Sequence, residues 1–263
     1  MTETKLKDIL NALARETSPA NIEASEGISS ADILRIAEKY ACGICRRKEE
    51  LSKRRSTRAP DPAFGIDVSA WQGTVSWNRV KNNQNGGFAM LRAACGQEED
   101  SRFESNYREA KSAGIPVGAY LYSMALDEAE AEAEAEFMLS LIKDKELDYP
   151  LAFDIEESAQ VQLGAEKCSA IIYAFCNKLE QAGYYVCLYS YEDFLLNYVT
   201  EDVRSKYDLW IADVGGTPTL SGGMRQYSFS GSVPGINGRV DLDEAYKDYP
   251  SIIADMKKRR SKA

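Results

Sequence analysis

The chain has 263 residues, 44% of them hydrophobic, and a formal charge of −9; that is enough for one large domain and an extension. It contains no histidine, which excludes Ser-His-Asp and Cys-His catalysis and makes a zinc centre improbable. Any chemistry must rest on carboxylates, tyrosines or lysines, and no cofactor or metal is expected.

The charge is unevenly placed. Residues 1–60 carry 12 Lys/Arg against 9 Asp/Glu, whereas residues 61–263 carry 20 against 32. The acidic part offers no basic groove for nucleic acid. No window approaches about 18 consecutive apolar residues, so no membrane insertion is expected. Met1–Lys5 lacks an apolar signal core, so synthesis in the cytoplasm without a signal peptide is the expectation. Cys42 and Cys45 form a CxxC with no second pair at zinc spacing, and free thiols are expected, with Cys168 and Cys176 packing a helix.

In chain order, Leu6, Ile9, Leu10 and Leu13 fall at helical spacing over 5–15. A second helix, capped by Ser30, carries Ile33, Leu34, Ile36, Ala37, Tyr40, Ala41 and Ile44 as one apolar stripe. Residues 56–62, rich in Pro, Ser and Thr, read as a linker. The chain thus divides into a helical segment over 1–60, a catalytic-sized domain over 61–250 and a basic tail over 251–263. Beyond the linker, strand patterns fall at 64–69, 88–94, 117–123, 151–156, 185–190, 209–213, 224–229 and 239–242. Helical patterns at 77–82, 103–112, 127–143 and 165–182 separate the early strands. Eight strands with interleaved helices predict an α/β protein, a compact and irregular (β/α)8-type barrel preceded by a small helical segment. The last strands lack full helices between them.

The segment Tyr149-Pro150-Leu151-Ala152-Phe153-Asp154-Ile155-Glu156-Glu157 organises this domain. Side chains alternate along a strand, so Leu151, Phe153 and Ile155 face one way and Ala152, Asp154 and Glu156 the other. Two carboxylates on one face, roughly 7 Å apart at the backbone, suit acid/base work on a single bond. The same pair could instead cap the next helix or line a wet sheet edge. The other strands repeat the division: Asp67, Tyr120, Tyr122, Tyr185, Tyr189, Trp210 and Asp241 each oppose an aliphatic face. Polar and aromatic side chains converging at strand ends suggest a sugar site, against the alternative of plain aromatic core packing.

Several of these stretches resemble glycoside hydrolase family 25, the N-acetylmuramidases known as Chalaropsis-type lysozymes, of the phage or prophage endolysin kind. They are Gly65-Ile66-Asp67-Val68-Ser69-Ala70-Trp71-Gln72-Gly73, the strand Gly114 to Ser123, Asp154-Ile155-Glu156, Leu209-Trp210-Ile211-Ala212, and Gln226-Tyr227-Ser228 through Val240-Asp241. The similarity spans about residues 64–246 with the motifs in order. It implies hydrolysis of the β-1,4 bond between N-acetylmuramic acid and N-acetylglucosamine in bacterial peptidoglycan. By position, Glu156 would be the general acid/base, Asp154 would support the substrate's acetamido group, and Asp67 and Asp241 would complete the acidic site. Tyr120, Tyr122, Tyr189, Trp210 and Gln226 would contact substrate. Leu121 stands where many members have His, and Arg225 where many have Trp.

Crowded carboxylates resist joint ionisation, so at least one should keep its proton near neutral pH. Glu156, with the longer side chain, is assigned that proton, and Glu157 is expected on the other face or in the following loop. Substrate-assisted retention and inversion through an activated water both remain open. A non-catalytic glycan-binding or structural component of a phage-like particle is the alternative. Residues 1–60 would then dock on the cell wall or on the particle, and the enzyme would reach the wall after lysis or delivery.

Overall fold

The computed structural model describes residues 28–39, 62–216 and 218–260. The chain divides into two compact units, Met1–Ala59 and Pro60–Ala263. In the first, helix α1 spans Ser30–Lys39. Its cap is Ser29 and not Ser30: the Asp32 N–H donates to Ser29 Oγ at 3.2 Å, as an N-cap hydroxyl requires. Ile33 is buried and Leu34 is exposed. The helix expected over 5–15, the Cys42/Cys45 pair and most of the linker lie outside the described residues.

The second unit is a closed eight-stranded barrel. Its staves are β1 (Ala63–Val68), β2 (Phe88–Cys95), β4 (Val117–Tyr122), β5 (Leu151–Asp154), β6 (Val186–Tyr191), β7 (Asp208–Ala212), β8 (Met224–Gly231) and β9 (Val240–Ala245); the two-residue β3 (Glu98–Glu99) folds back on β2. Parallel pairing runs from β1 through β2, β4, β5, β6 and β7 to β8. Strand β9 is antiparallel to both β8 and β1 and closes the ring. The irregularity has a local cause. Helices α2 (Trp77–Lys81), α3 (Phe103–Ser112), α4 (Glu128–Ile142), α5 (Ser158–Val161) and α6 (Ala165–Ala182) fill the early crossovers. Only the short α7 (Glu192–Asn197) and α8 (Glu201–Lys206) join β6 to β7. Among the described residues no helix lies between β7 and β8 or between β8 and β9; the short connection from β8 to β9 is shorter than a parallel crossover needs and returns the chain antiparallel.

Strand alternation sorts the side chains into two cores. Val68, Leu91, Leu121, Phe153, Leu188 and Ile211 face outward into one cluster with the helices. Phe88, Met90, Tyr149, Ala152, Trp210, Met224 and Tyr249 form a second cluster, inside the barrel. That interior is aromatic, unlike the branched filling usual for such barrels. Phe88 and Tyr149 stack at 4.4 Å with their planes 8° apart. Glycine makes the room: a Cβ on Gly65 would lie 2.5 Å from the Phe88 ring, and one on Gly118 would lie 2.5 Å from Met90 Sδ.

The segment expected as a basic tail is instead helix α9 (Tyr249–Arg260). Tyr249 and Ile253 are buried against the interior cluster, and the Tyr249 hydroxyl donates to Asp208 Oδ2 at 2.8 Å. Its cations are not merely solvated: Lys257 Nζ donates to the Leu147 carbonyl and Arg260 to that of Ala182. The helix therefore plugs the N-terminal end of the barrel and leaves the other end open. Among the described residues Cys95, Cys168, Cys176 and Cys187 are free thiols, with Cys168 and Cys176 buried on α6. No helix among the described residues is long and apolar enough to cross a membrane.

Candidate active site

At the open end, a cavity of about 270 Å³ is lined by Asp67, Asp154, Glu156 and Asp241, together with Tyr120, Tyr122, Tyr189, Trp210 and Gln226. Topology explains the convergence. Asp154 ends β5, and Asp67 lies one residue before the end of β1. Because β9 runs antiparallel, its second residue, Asp241, falls opposite Asp67. Strand β5 stops at Asp154, two residues earlier than expected, yet the chain stays extended beside β6. The Ile155 N–H donates to the Tyr189 carbonyl at 3.2 Å. The alternation thus persists to Glu156 although the ladder has ended.

Glu157 does more than point away. It accepts a hydrogen bond from the Tyr122 hydroxyl at 2.6 Å and caps α5 reciprocally with Gln160. The acidic pair and the helix cap are therefore adjacent residues: Asp154 and Glu156 face the cavity, while Glu157 closes the helix behind them.

Two carboxyl oxygens in this cavity, Asp154 Oδ1 and Glu156 Oε2, are buried without a hydrogen-bond partner. Such orphans are costly unless something completes them. Burial is the main cause that raises both pKa values, with Glu156 and Asp67 adding repulsion at Asp154 and Glu157 and Asp241 adding it at Glu156. A hydrogen bond from Tyr191 opposes the rise at Glu156. Asp67 is pushed up to about 7 by burial and by Asp241, against the stabilising hydrogen bond from Gln226. Burial likewise raises Asp241. Burial and crowding thus favour the protonated form at each of these carboxyls.

The aromatic and amide residues divide by exposure. Tyr120, Tyr189, Trp210 and Gln226 are buried and present little surface to a ligand. They act as scaffold: Tyr189 donates to Gln226 Oε1 at 2.8 Å, and Gln226 Nε2 donates to Asp67 Oδ2 at 2.7 Å. Trp210 lines the cavity floor with its ring 1% exposed, and its Nε1 donates to Asp243 at 2.8 Å. Of the aromatics expected to contact substrate, Tyr122 alone is half-exposed; Tyr185, also half-exposed, packs at the other end of the barrel against Tyr249.

Four further residues shape the site and are not among the residues expected there. Trp71, 84% exposed, stands at the rim on a 3-10 turn (Ala70–Gln72) that Ser69 and Gln72 cap reciprocally. Arg92 brings a cation to the cavity wall, and its charge lowers the pKa of Asp154. Asp100 fixes both, accepting from Arg92 Nε at 2.8 Å and from the Ala70 N–H at 2.9 Å. Tyr191 ends β6, 43% exposed, beside Glu156. A larger open groove of about 620 Å³ lies along α4, α6 and α8. Its acids Glu128 and Glu132 pair with Lys167 and Lys178.

A barrel with buried, unpartnered carboxyl oxygens at the C-terminal ends of its strands is built as a carboxylate-dependent glycoside hydrolase. The chain belongs to glycosyl hydrolases family 25, which matches residues 66–236. It is 35% identical over 186 residues to an autolytic lysozyme of Clostridium acetobutylicum, covering 68% of this chain and 55% of the relative. The structure resembles the modular autolysin LytC of Streptococcus pneumoniae in complex with a synthetic peptidoglycan ligand, with a TM-score of 0.64, 27% identity, 70% of this chain covered and 47% of that one. It also resembles the bacterial lysozyme from Streptomyces coelicolor, with a TM-score of 0.61, 26% identity, and 73% and 95% covered. The chain spans about half the length of the first two relatives.

Proposed function

We propose that this protein is an N-acetylmuramidase that hydrolyses the β-1,4 bond between N-acetylmuramic acid and N-acetylglucosamine in bacterial peptidoglycan. The observation that carries the proposal is the pair of unpartnered buried oxygens, Asp154 Oδ1 and Glu156 Oε2, facing one cavity. A bound sugar would supply their missing partners.

In the proposed reaction, Glu156 donates its proton to the glycosidic oxygen as the C1–O bond breaks. The substrate's own acetamido oxygen attacks C1, and the positive charge that develops on the acetamido group is supported by the Asp154 carboxylate. Glu156, now ionised, takes a proton from the water that opens this intermediate, with net retention at C1. Asp67 and Asp241 tune the field around the pair. Exposed Trp71 and half-exposed Tyr122 of the cavity lining, with exposed Tyr191 beside Glu156, offer rings to sugar faces. Residues 1–60 are proposed as a docking element for the wall or a particle, testable by deleting them and measuring wall binding apart from catalysis.

The test is mass spectrometry of purified peptidoglycan digests. New reducing ends on N-acetylmuramic acid are expected. Reducing ends on N-acetylglucosamine would reassign the bond, and intact glycan with retained binding would make the barrel a glycan-binding module.

A further inference from the structure

A fifth carboxyl group lies behind the four that line the cavity. Asp243, on β9, is fully buried, with Gly65 of β1 and Gln226 of β8 as its flanking backbone partners. Its Oδ1 accepts from Trp210 Nε1 at 2.8 Å. Its Oδ2 is buried and receives no N–H or O–H donor. What lies against the Asp243 carboxyl, within hydrogen-bonding reach, is the carboxyl of Asp67.

Two carboxylates side by side are tenable only if a proton lies between them. Each carboxyl accepts one donor, from Gln226 at Asp67 and from Trp210 at Asp243, so access to the cavity decides which group carries the proton. Asp67 lines the cavity and accepts from Gln226 Nε2 at 2.7 Å, so it already holds a donor suited to an anion. Asp243 is sealed from the cavity, and its one unmatched atom is an oxygen that a proton would turn into a donor. The charged groups that act on it are Asp67 from β1 and Asp241 from its own strand, and both oppose a negative charge there; Tyr227 of β8 is a neutral phenol at this pH.

We propose that Asp243 works as a neutral carboxylic acid that donates a hydrogen bond to Asp67. It is a positioning residue that holds the Asp67 carboxylate at the cavity wall. The chain of donors then runs without a gap on both sides: Tyr189 to Gln226 to Asp67 from one, Trp210 to Asp243 to Asp67 from the other. Asp67 is fixed between two donors without a cation. An arginine or lysine in that place would lower the proton affinity of the whole cluster, Glu156 included. Burial and the Asp67 charge both push the Asp243 pKa well above the carboxylate range, in keeping with a group that stays protonated through neutrality.

The activity arm of the test rests on the muramidase reading; the spectroscopic arm does not. Asp243→Ala removes the donor to Asp67 and should lower kcat on peptidoglycan by about 10- to 100-fold, the worth of a hydrogen bond to a charged group. Asp243→Asn restores a neutral donor to Asp67 and an acceptor for Trp210, and should recover most of that loss with a pH–rate profile that overlays the wild type. If Asp243 were anionic, the Asn variant would delete a charge and displace the profile to lower pH; that displacement would overturn the proposal. Independently, 13C NMR of the aspartate-labelled full chain, assigned with the Asn variant, should show a carboxyl resonance that stays at its protonated position through pH 7. An Asp243 resonance titrating below pH 5 would overturn the proposal whatever the substrate is. Absence of turnover by the wild-type chain, with the protonated resonance present, would refute the muramidase reading alone.

Discussion

Replacing Glu156 with Gln, beside the same change at Glu157, separates the acid from its neighbour. Glu156→Gln keeps the shape of the side chain and a hydrogen-bonding end but removes the transferable proton. Loss of general acid catalysis lowers rate by about 10²–10⁴-fold, or about 3–5 kcal/mol of transition-state stabilisation. Glu156 is largely buried with one oxygen unpartnered, so removing its charge should not weaken the fold. Glu157 holds the Tyr122 hydroxyl at 2.6 Å. A glutamine oxygen can still accept that bond, without the charge assistance, so the change removes about 1 kcal/mol and about 2–4 °C of melting temperature for a barrel of this size. Its effect on rate should stay below about fivefold at the optimum. Because Glu157 is one cause that raises the Glu156 pKa, after burial, Glu157→Gln should also move the alkaline limb of kcat/KM to lower pH. The assay is turnover of a defined muropeptide polymer across pH, with thermal melts alongside. Equal rate losses for the two variants would refute the reasoning, since they would mean that Glu157 and not Glu156 reaches the glycosidic oxygen.

The remaining expectations address the rim, the plug and the cluster. Trp71→Ala should leave the unfolding free energy within about 0.5 kcal/mol of wild type, as an 84% exposed ring predicts. The same variant should raise KM by about 2- to 10-fold, the worth of one aromatic contact, and an unchanged KM would remove Trp71 from the binding surface. Tyr249→Ala should destabilise by about 3 kcal/mol or more, and Tyr249→Phe by about 1 kcal/mol through the lost bond to Asp208; equal losses would show that packing at the plug counts for nothing. Asp154→Asn should raise the melting temperature at pH 7 with the gain vanishing near pH 4. The folded-state pKa of Asp154 lies well above its unfolded value. The folded protein therefore binds more protons, and stability falls as pH rises between the two values. A gain independent of pH would place the effect outside that titration.

The sequence makes the barrel legible because each early strand carries two clean faces, and the four cavity acids fall on one of them. The pattern fails mainly at strand ends. It closes β9 at Leu242, yet one more step of the same alternation carries Asp243 inward behind Asp241. It closes β6 at Ser190, one residue short of Tyr191. Arg92 follows Phe88 and Met90 at period two and is legible by the same rule. Helices α7 and α8 are too short to show a 3.6-residue period. Helix α9 is hidden because its four terminal cations and Pro250 mask the two residues, Tyr249 and Ile253, that it buries. Exposure is the property that pattern reading cannot supply: Trp210 and Trp71 have the same composition signal, yet one is sealed and the other open.

The two ends of the barrel explain one another. Closing the N-terminal end with Phe88, Tyr149 and Tyr249 creates a dry aromatic floor beneath the strands. A low-dielectric floor raises the proton affinity of any carboxyl standing on it, and burial is indeed the largest cause of the shift at Asp67, Asp154, Glu156, Asp241 and Asp243. The acid needed at neutral pH is therefore a product of the core as much as of its neighbouring charges. It follows that the plug and the chemistry are linked. Substitutions in α9 that admit water beneath Trp210 should lower the pKa of Glu156, even though α9 sits at the opposite end of the barrel from the cavity.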